Sequence, residues 1–232
     1  MTDLVRVWIV PVDVPAQIAA WCRDVLDGSE RARAAAFQNP RDEQQYTVAH
    51  GALRMLAGRE LGAPPAALTW IPGRHGKPEL TPPWSGLHTS LSHSGGMIAA
   101  AVSAGRPVGV DIQDVLPGLD PVALSARFFP PGEAGYVAAG RDASVQADRF
   151  ARLWARKEAV VKAAGSRLWP NLGIAVRGRA VVRCAEPASF HRVAGVAVPV
   201  GFRAAVALAG TAPFDLKTAG WPDGETAPAL VS

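Results

Sequence analysis

The segment Trp154-Ala-Arg-Lys157-Glu158-Ala-Val-Val-Lys162 sets a carboxylate and an ammonium four residues apart in an otherwise largely apolar stretch. An α-helix turns about 100° per residue, so positions four apart lie almost above one another. Phe150, Trp154, Glu158 and Lys162 then form one slowly rotating stripe, aromatic at its start and charged at its end. A helix that buries the two aromatics carries the acid and the base to the edge of the core, where a cleft could open. There they suit a metal ion and a phosphate; as a plain surface pair they would be worth only about 0.2–0.5 kcal/mol. Val108-Gly109-Val110-Asp111-Ile112-Gln113 reads as a strand with Val110 and Ile112 on one face and Asp111 and Gln113 on the other. Gly109 permits close approach of another backbone or a ligand. A carboxylate on a buried strand needs a partner or a metal; at a strand end Asp111 could instead cap a turn.

The elements that must position these groups follow from hydrophobic period and breakers. A first strand covers Leu4–Val10, and Ile18, Trp21, Cys22, Val25 and Leu26 recur at helical spacing. A short helix from Glu30 to Phe37 breaks at Asn39-Pro40, and a longer one from Arg41 to Leu61 stops at Gly62. Strands are expected at Leu68–Ile71, Leu87–Leu91, Met97–Val102 and Val108–Gln113, the last two joined as a hairpin through Ser103–Pro107. Ser92-His93-Ser94-Gly95-Gly96 reads as a polar loop where backbone N–H groups and an imidazole could meet phosphate, or where His93 simply satisfies a turn. The second half repeats the theme: a helix over Asp148–Ala164, then strands near Val176–Val182, His191–Val198 and Phe202–Leu208. The expected class is α+β, two similar lobes that each pack a long helix on a small, mainly antiparallel sheet. The boundaries fall at 1–110 and 111–210, with an irregular tail from 211 to 232.

With 232 residues, 49% of them hydrophobic, the chain can build a real core. Cys22 and Cys184 give no disulfide framework and fit a reducing cytosol. The opening run reads as a strand instead of a signal peptide, and no stretch approaches about 18 uninterrupted apolar residues. A cytoplasmic protein without a membrane partner is therefore expected. The net charge of +4 is uneven: Arg141 to Arg192 holds eleven Lys or Arg against four Asp or Glu. Such a face attracts acidic partners. Basic stacks of aromatics are absent, which speaks against nucleic acid. The histidines at 50, 75, 88 and 191 show no metal-ligand spacing, so no zinc site is expected.

The two motifs, in this order, resemble the 4′-phosphopantetheinyl transferases of the Sfp type, within their W/KEA-like subgroup. Arg74-His75-Gly76-Lys77-Pro78-Glu79-Leu80 is similar to that family's G-K-P segment, Thr89-Ser90-Leu91-Ser92-His93-Ser94-Gly95 to its S-H-S-G segment, and Ala126-Arg127-Phe128-Phe129-Pro130 to its R-F-F element. The likeness runs from about Glu30 to Leu208. It implies transfer of the phosphopantetheine arm of coenzyme A to a serine of an acyl or peptidyl carrier protein, with release of 3′,5′-ADP. Asp111 and Glu158 would hold Mg²⁺, Lys162 would neutralise the attacked phosphate, and Glu158 would accept the serine proton. His93 would grip a phosphate of coenzyme A, Lys77 and Pro78 would border its adenine, and Ser92 and Arg33 would complete the coenzyme site. Gln113 stands where many relatives carry Glu, which leaves open whether it ligates the metal. Both lobes in one chain imply a monomer, with polyketide and nonribosomal-peptide pathways as clients. Arg127-Phe128-Phe129 and the basic run Arg149–Lys157 would flank the cleft and receive the carrier. A hydrolase of coenzyme A or nucleotide pyrophosphates and a non-catalytic basic binding module are the competing readings.

Overall fold

The computed structural model describes residues 2–116 and 119–222. In chain order its strands and α-helices are β1 (Asp3–Pro11), α1 (Ala16–Val25), α2 (Gly28–Ala35), α3 (Pro40–Leu61), β2 (Trp70–Pro72), β3 (Pro78–Leu80), β4 (Leu87–Ser94), β5 (Met97–Ala104) and β6 (Val108–Asp114). There follow α4 (Pro121–Phe128), α5 (Pro131–Ala138), α6 (Ala143–Ala163), β7 (Val181–Cys184), β8 (Ser189–Val196), β9 (Phe202–Ala209) and β10 (Phe214–Gly220). One sheet has the order β10-β1-β5-β4 and another β6-β9-β8-β7, while β2 and β3 pair by themselves. The class is α+β, as expected.

The two larger sheets face one another. Val5, Val7, Ile9, Ala99 and Ala101 of the first pack against Val108, Val110, Ile112, Val206 and Leu208 of the second. The far face of the first sheet is covered by α1 and α3, whose Cys22, Val48, Ala52 and Leu56 meet Trp8, Val10 and Ile98. The far face of the second is covered by α6, through Leu153, Ala155, Ala159 and Val160 against Val193, Ala205 and Ala207. Each long helix begins on a capping side chain: Asn39 Oδ1 accepts from Arg41 N at 2.9 Å, and Asp142 Oδ1 from Val145 N at 2.8 Å. Among the described residues, no helix is long and apolar enough to cross a membrane.

Four expectations are corrected. Val108–Gln113 does not form a hairpin with Met97–Val102, because β1 and β4 already occupy both edges of β5. The turn at Ser103–Pro107 reverses the chain, but β6 must then pair elsewhere, on β9. Second, Ser92-His93-Ser94 is not a loop. It closes β4, and the hairpin is the β4–β5 pair, with Ser94 opposite Met97. Its two-residue turn, Gly95-Gly96, has φ values of 54° and 85°, the paired positive angles that a type I′ turn requires. Third, the stretch from 211 is not irregular throughout. Phe214-Asp-Leu-Lys-Thr alternates apolar and polar and lies parallel to β1 as the edge strand of the first sheet. The frequent Pro and Gly around it mask that period of two. Residues 223–232 of the expected tail lie outside the described residues. The 110/111 boundary also cuts through β6, which belongs wholly to the second sheet.

His191, on β8, is 1% exposed, and its Nδ1 has no partner. Burial pushes its pKa down to about 4, with the Lys77 charge adding to the effect. Between pH 4 and 6.5 the unfolded chain binds the imidazole proton and the folded chain does not, so stability should fall as pH drops through that window. The full loss is of the order of 3 kcal/mol. Denaturant unfolding at several pH values should show His191→Asn losing most of that slope. An unchanged slope would remove His191 as its source.

Candidate active site

The site forms where α6 crosses β6. A Cβ placed on Gly109 would lie 2.1 Å from Ala159 O and 2.3 Å from Ala163 N, so only glycine lets helix and strand approach this closely. That contact brings Lys162 over Asp111, with Nζ to Oδ1 at 2.7 Å. The Lys162 ammonium also lies 3.7 Å from Glu158 Oε2, while Trp154 Nε1 donates to Glu158 Oε1 at 2.9 Å. The stripe read from the sequence thus holds as drawn: Phe150 is buried in the helix–sheet core, Trp154 orients the acid, and Lys162 ends between two carboxylates. Asp111 and Glu158 come together because β6 and α6 pack on one another.

The first sheet contributes from the other side through a ladder of serines. Ser90, Ser92 and Ser94 alternate along β4 and reach the outer edge of β6. Ser90 Oγ accepts from Val110 N at 3.0 Å, Ser92 Oγ donates to Asp111 Oδ1 at 2.6 Å, and Ser94 Oγ accepts from Asp114 N at 3.1 Å. An edge strand leaves backbone donors unpaired, and the Ser90 and Ser94 hydroxyls supply partners. Ser92 is therefore a partner of the carboxylate more than a free ligand group. His93 projects from the same strand, and its Nδ1 meets Gln45 Nε2 at 2.8 Å. With the amide nitrogen donating, the imidazole proton sits on Nε2, free for an anion. Burial, aided by Lys162, lowers the His93 pKa.

Asp111 is 3% exposed, and its Oδ2 has no hydrogen-bond partner. Burial pushes its pKa up against the opposing pull of Lys162. Burial also raises Glu158, and the neighbouring Asp111 charge raises it further. Two close carboxylates, one with an orphaned oxygen, are short of positive charge. Gln113 lines the same space, its Nε2 3.4 Å from Asp114 Oδ1. No cluster of three or more His, Cys, Asp or Glu suited to a metal occurs among the described residues. A cation here would thus take Asp111, Glu158 and oxygens brought by a ligand, a donor set that fits Mg²⁺.

Two adjoining cavities open from this point. One of about 600 Å³ is lined by Asp111, Gln113, Glu158, Lys162, His93 and Gln45. The other, about 620 Å³, runs between Arg33, Trp70, Arg74, Lys77, Pro78 and Lys162. Arg33 and Lys162 border both. Each site residue expected from the sequence lines one or both of these cavities, but the ammonium of Lys77 is already engaged. It donates to Val108 O at 3.0 Å and Ala163 O at 3.3 Å, clasping β6 to the end of α6, and burial lowers its pKa to about 8.

Sequence reasoning missed the floor of the second cavity. Arg54, fully buried in α3, pairs with Asp27 and Glu30 at 2.6 Å each, donates to Leu68 O at 2.7 Å and stacks on Trp70. Glu30 also meets His50, and His50 stacks on Tyr46 with ring centroids 4.0 Å apart. The available signal was Asp27-x-x-Glu30, a capping box that both donors complete.

The expected carrier surface is corrected in part. Lys157 is 0% exposed and bonded to Glu133, so it is core. Phe129 stacks on Phe150 at 5.2 Å and is core too. Arg127 and Phe128 stay near the surface, beside the exposed Trp169.

Residues 107–184, which carry Asp111, Glu158 and Lys162, match the profile of the 4′-phosphopantetheinyl transferase superfamily. The chain is 34% identical over 167 residues to the 4′-phosphopantetheinyl transferase HetI of Nostoc sp. strain PCC 7120, covering 71% of this chain and 70% of that one. It is 36% identical over 146 residues to the 4′-phosphopantetheinyl transferase AcpT of Escherichia coli K12, covering 61% and 68%. With a 4′-phosphopantetheinyl transferase of Bacillus subtilis the identity is 30% over 143 residues, 62% of each chain. Geometry and kinship agree: the chain belongs to the 4′-phosphopantetheinyl transferase superfamily.

Proposed function

We propose that this cleft moves the phosphopantetheine arm of coenzyme A onto a serine hydroxyl of an acyl or peptidyl carrier protein, as an Sfp-type enzyme. The observation that carries the reading is the Lys162 ammonium held between Asp111 and Glu158 where two cavities meet. One cavity suits the nucleotide of coenzyme A; the other suits its diphosphate and the incoming serine. The serine oxygen attacks the phosphorus that bears the pantetheine arm, and the bond from that phosphorus to the bridging oxygen breaks. The electron pair leaves with 3′,5′-ADP. Transfer of this kind needs positioning and charge neutralisation more than covalent help.

Lys162 supplies a point charge to a phosphate oxygen, and the His93 Nε2–H is a second donor. Glu158, its pKa raised, is the acceptor for the serine proton. Arg33 stays exposed at the shared rim, where it can meet a phosphate, and Lys77 and Pro78 wall the nucleotide cavity. Mg²⁺ held by Asp111 and Glu158, with Gln113 alongside, would offset the diphosphate charge. The two sheet-and-helix lobes would be pseudo-symmetric halves of one monomeric enzyme, with carrier domains of polyketide and nonribosomal-peptide pathways as clients.

Incubation with coenzyme A, Mg²⁺ and an apo carrier domain tests this by intact mass. Gain of one arm on the carrier supports transfer. Release of nucleotide without an adduct would make the protein a pyrophosphate hydrolase, and neither product would leave a binding module. Gln113→Glu should keep transfer and lower the Mg²⁺ concentration needed for half-maximal rate, since it restores a charged oxygen ligand. Loss of activity in that variant would show that the amide itself is required.

A further inference from the structure

On the side of α6 away from Glu158 lies another cavity, of about 890 Å³, whose walls include Arg152, Arg156, Arg177, Arg179 and Arg203. Helix phase turns Arg152 and Arg156 about 120° and 160° from Glu158, so this space is separate from the catalytic cleft. Four of these five guanidinium groups have partners. Arg156 donates to Val176 O at 3.1 Å and to Arg179 O, and Arg177 stacks on Tyr136 at 4.2 Å. Asp148 pairs with Arg152 and Arg203. Among the described residues, no carboxylate forms an ion pair with Arg156, Arg177 or Arg179. The wall is strongly positive before any ligand arrives.

A strand edge opens onto the same space. β8 pairs with β9 over Arg192–Val196, but with β7 only over Ser189–Arg192. Val193 N still reaches Ala180 O, and beyond it no strand flanks that edge of β8 among the described residues. Backbone groups alternate along a strand, so Gly195 points its N–H and C=O the same way as Val193, toward the open side. A methyl on Gly195 would meet nothing within 4 Å, while Leu153 and Val193 give the cavity an apolar floor.

An unpaired edge is a template for an added strand. A second copy of this chain would set arginine against arginine, and a free polyphosphate would leave the edge unpaired. We propose that this groove binds an extended acidic segment of a partner protein, added as a strand to β8, with Arg177 and Arg179 pairing its carboxylates. The proposal is independent of the transfer reaction and stands or falls apart from it.

The probe is a fluorescent peptide of about ten residues alternating Glu and Val, long enough for a typical strand. Two competitors accompany it: a peptide of the same charge with prolines in place of the valines, and inorganic tripolyphosphate. Anisotropy at low salt should show saturable binding of the alternating peptide, at least about tenfold tighter than the proline peptide, which lacks half the backbone donors. Arg177→Glu/Arg179→Glu should weaken it at least tenfold while phosphopantetheine transfer stays unchanged. Exchange of the Gly195 amide should slow when the alternating peptide binds. Equal affinity for the proline peptide, or unchanged exchange at Gly195, would overturn strand addition whether or not the double variant folds. Tripolyphosphate displacing the peptide with higher affinity would make the groove a polyphosphate site instead and equally overturn the proposal.

Discussion

Asp111→Ala should lower phosphopantetheine transfer by about two to three orders of magnitude, the scale expected when several kcal/mol of charge stabilisation is lost. Its carboxylate anchors Lys162 at 2.7 Å, and its Oδ2 is a buried acceptor without a partner. Alanine removes the fixed position of the ammonium and an oxygen of the proposed Mg²⁺ site. The fold should gain or hold, because a buried carboxylate with an unpaired oxygen opposes folding. Transfer rates and a thermal melt on the same preparation separate the effects. A folded variant with near-normal turnover would sink the assignment of Asp111.

Lys157→Ala should be the most damaging single truncation for stability, costing about 3–5 kcal/mol. The Lys157 ammonium is buried against Glu133 Oε2 at 2.6 Å, with Ile174 O as a second acceptor. Glu133 in turn accepts from Val176 N at 2.6 Å and Arg177 N at 2.7 Å, fixing the loop after α6. Alanine would strand that carboxylate in a low-dielectric core. The double variant Lys157→Met/Glu133→Gln should recover much of the loss, since both charges go together. Glu158→Gln, by contrast, should lower transfer with little effect on unfolding. Equal denaturant midpoints for Lys157→Ala and the parent would show that the pair contributes nothing.

That contrast shows how far the sequence could be read. Helix phase separated Glu158 from Lys157 correctly, because one period governs the whole of α6. It could not show that Lys157 points inward, since an ammonium enters a core only when a distant carboxylate waits there, and Glu133 lies 24 residues away. The alternation along β6 was legible for the same local reason, and so was the close approach at Gly109. Pairing partners were not legible. Ser92 and Ser94 looked like loop residues because the period of two they share with Ser90 is polar, and its purpose, the open edge of β6, lies on another sheet. Arg54 escaped notice likewise: its partners Asp27 and Glu30 come from the preceding helix and its cap.

The position of β1 has a consequence for folding. β1 lies between β5 and β10, so one of its neighbours precedes the whole second sheet in the chain and the other follows it. Trp221, just past β10, stacks on Trp8 and Trp21 at 6.0 and 6.2 Å and donates its backbone N–H to Ile9 O. Closing that edge of β1 is thus a contact of very long sequence range, the kind whose loop-closure cost slows folding. The second sheet, whose strands all fall between residues 108 and 209, needs no pairing of that length. Asp111 on β6 therefore rests on shorter-range pairings than the sheet that carries His93.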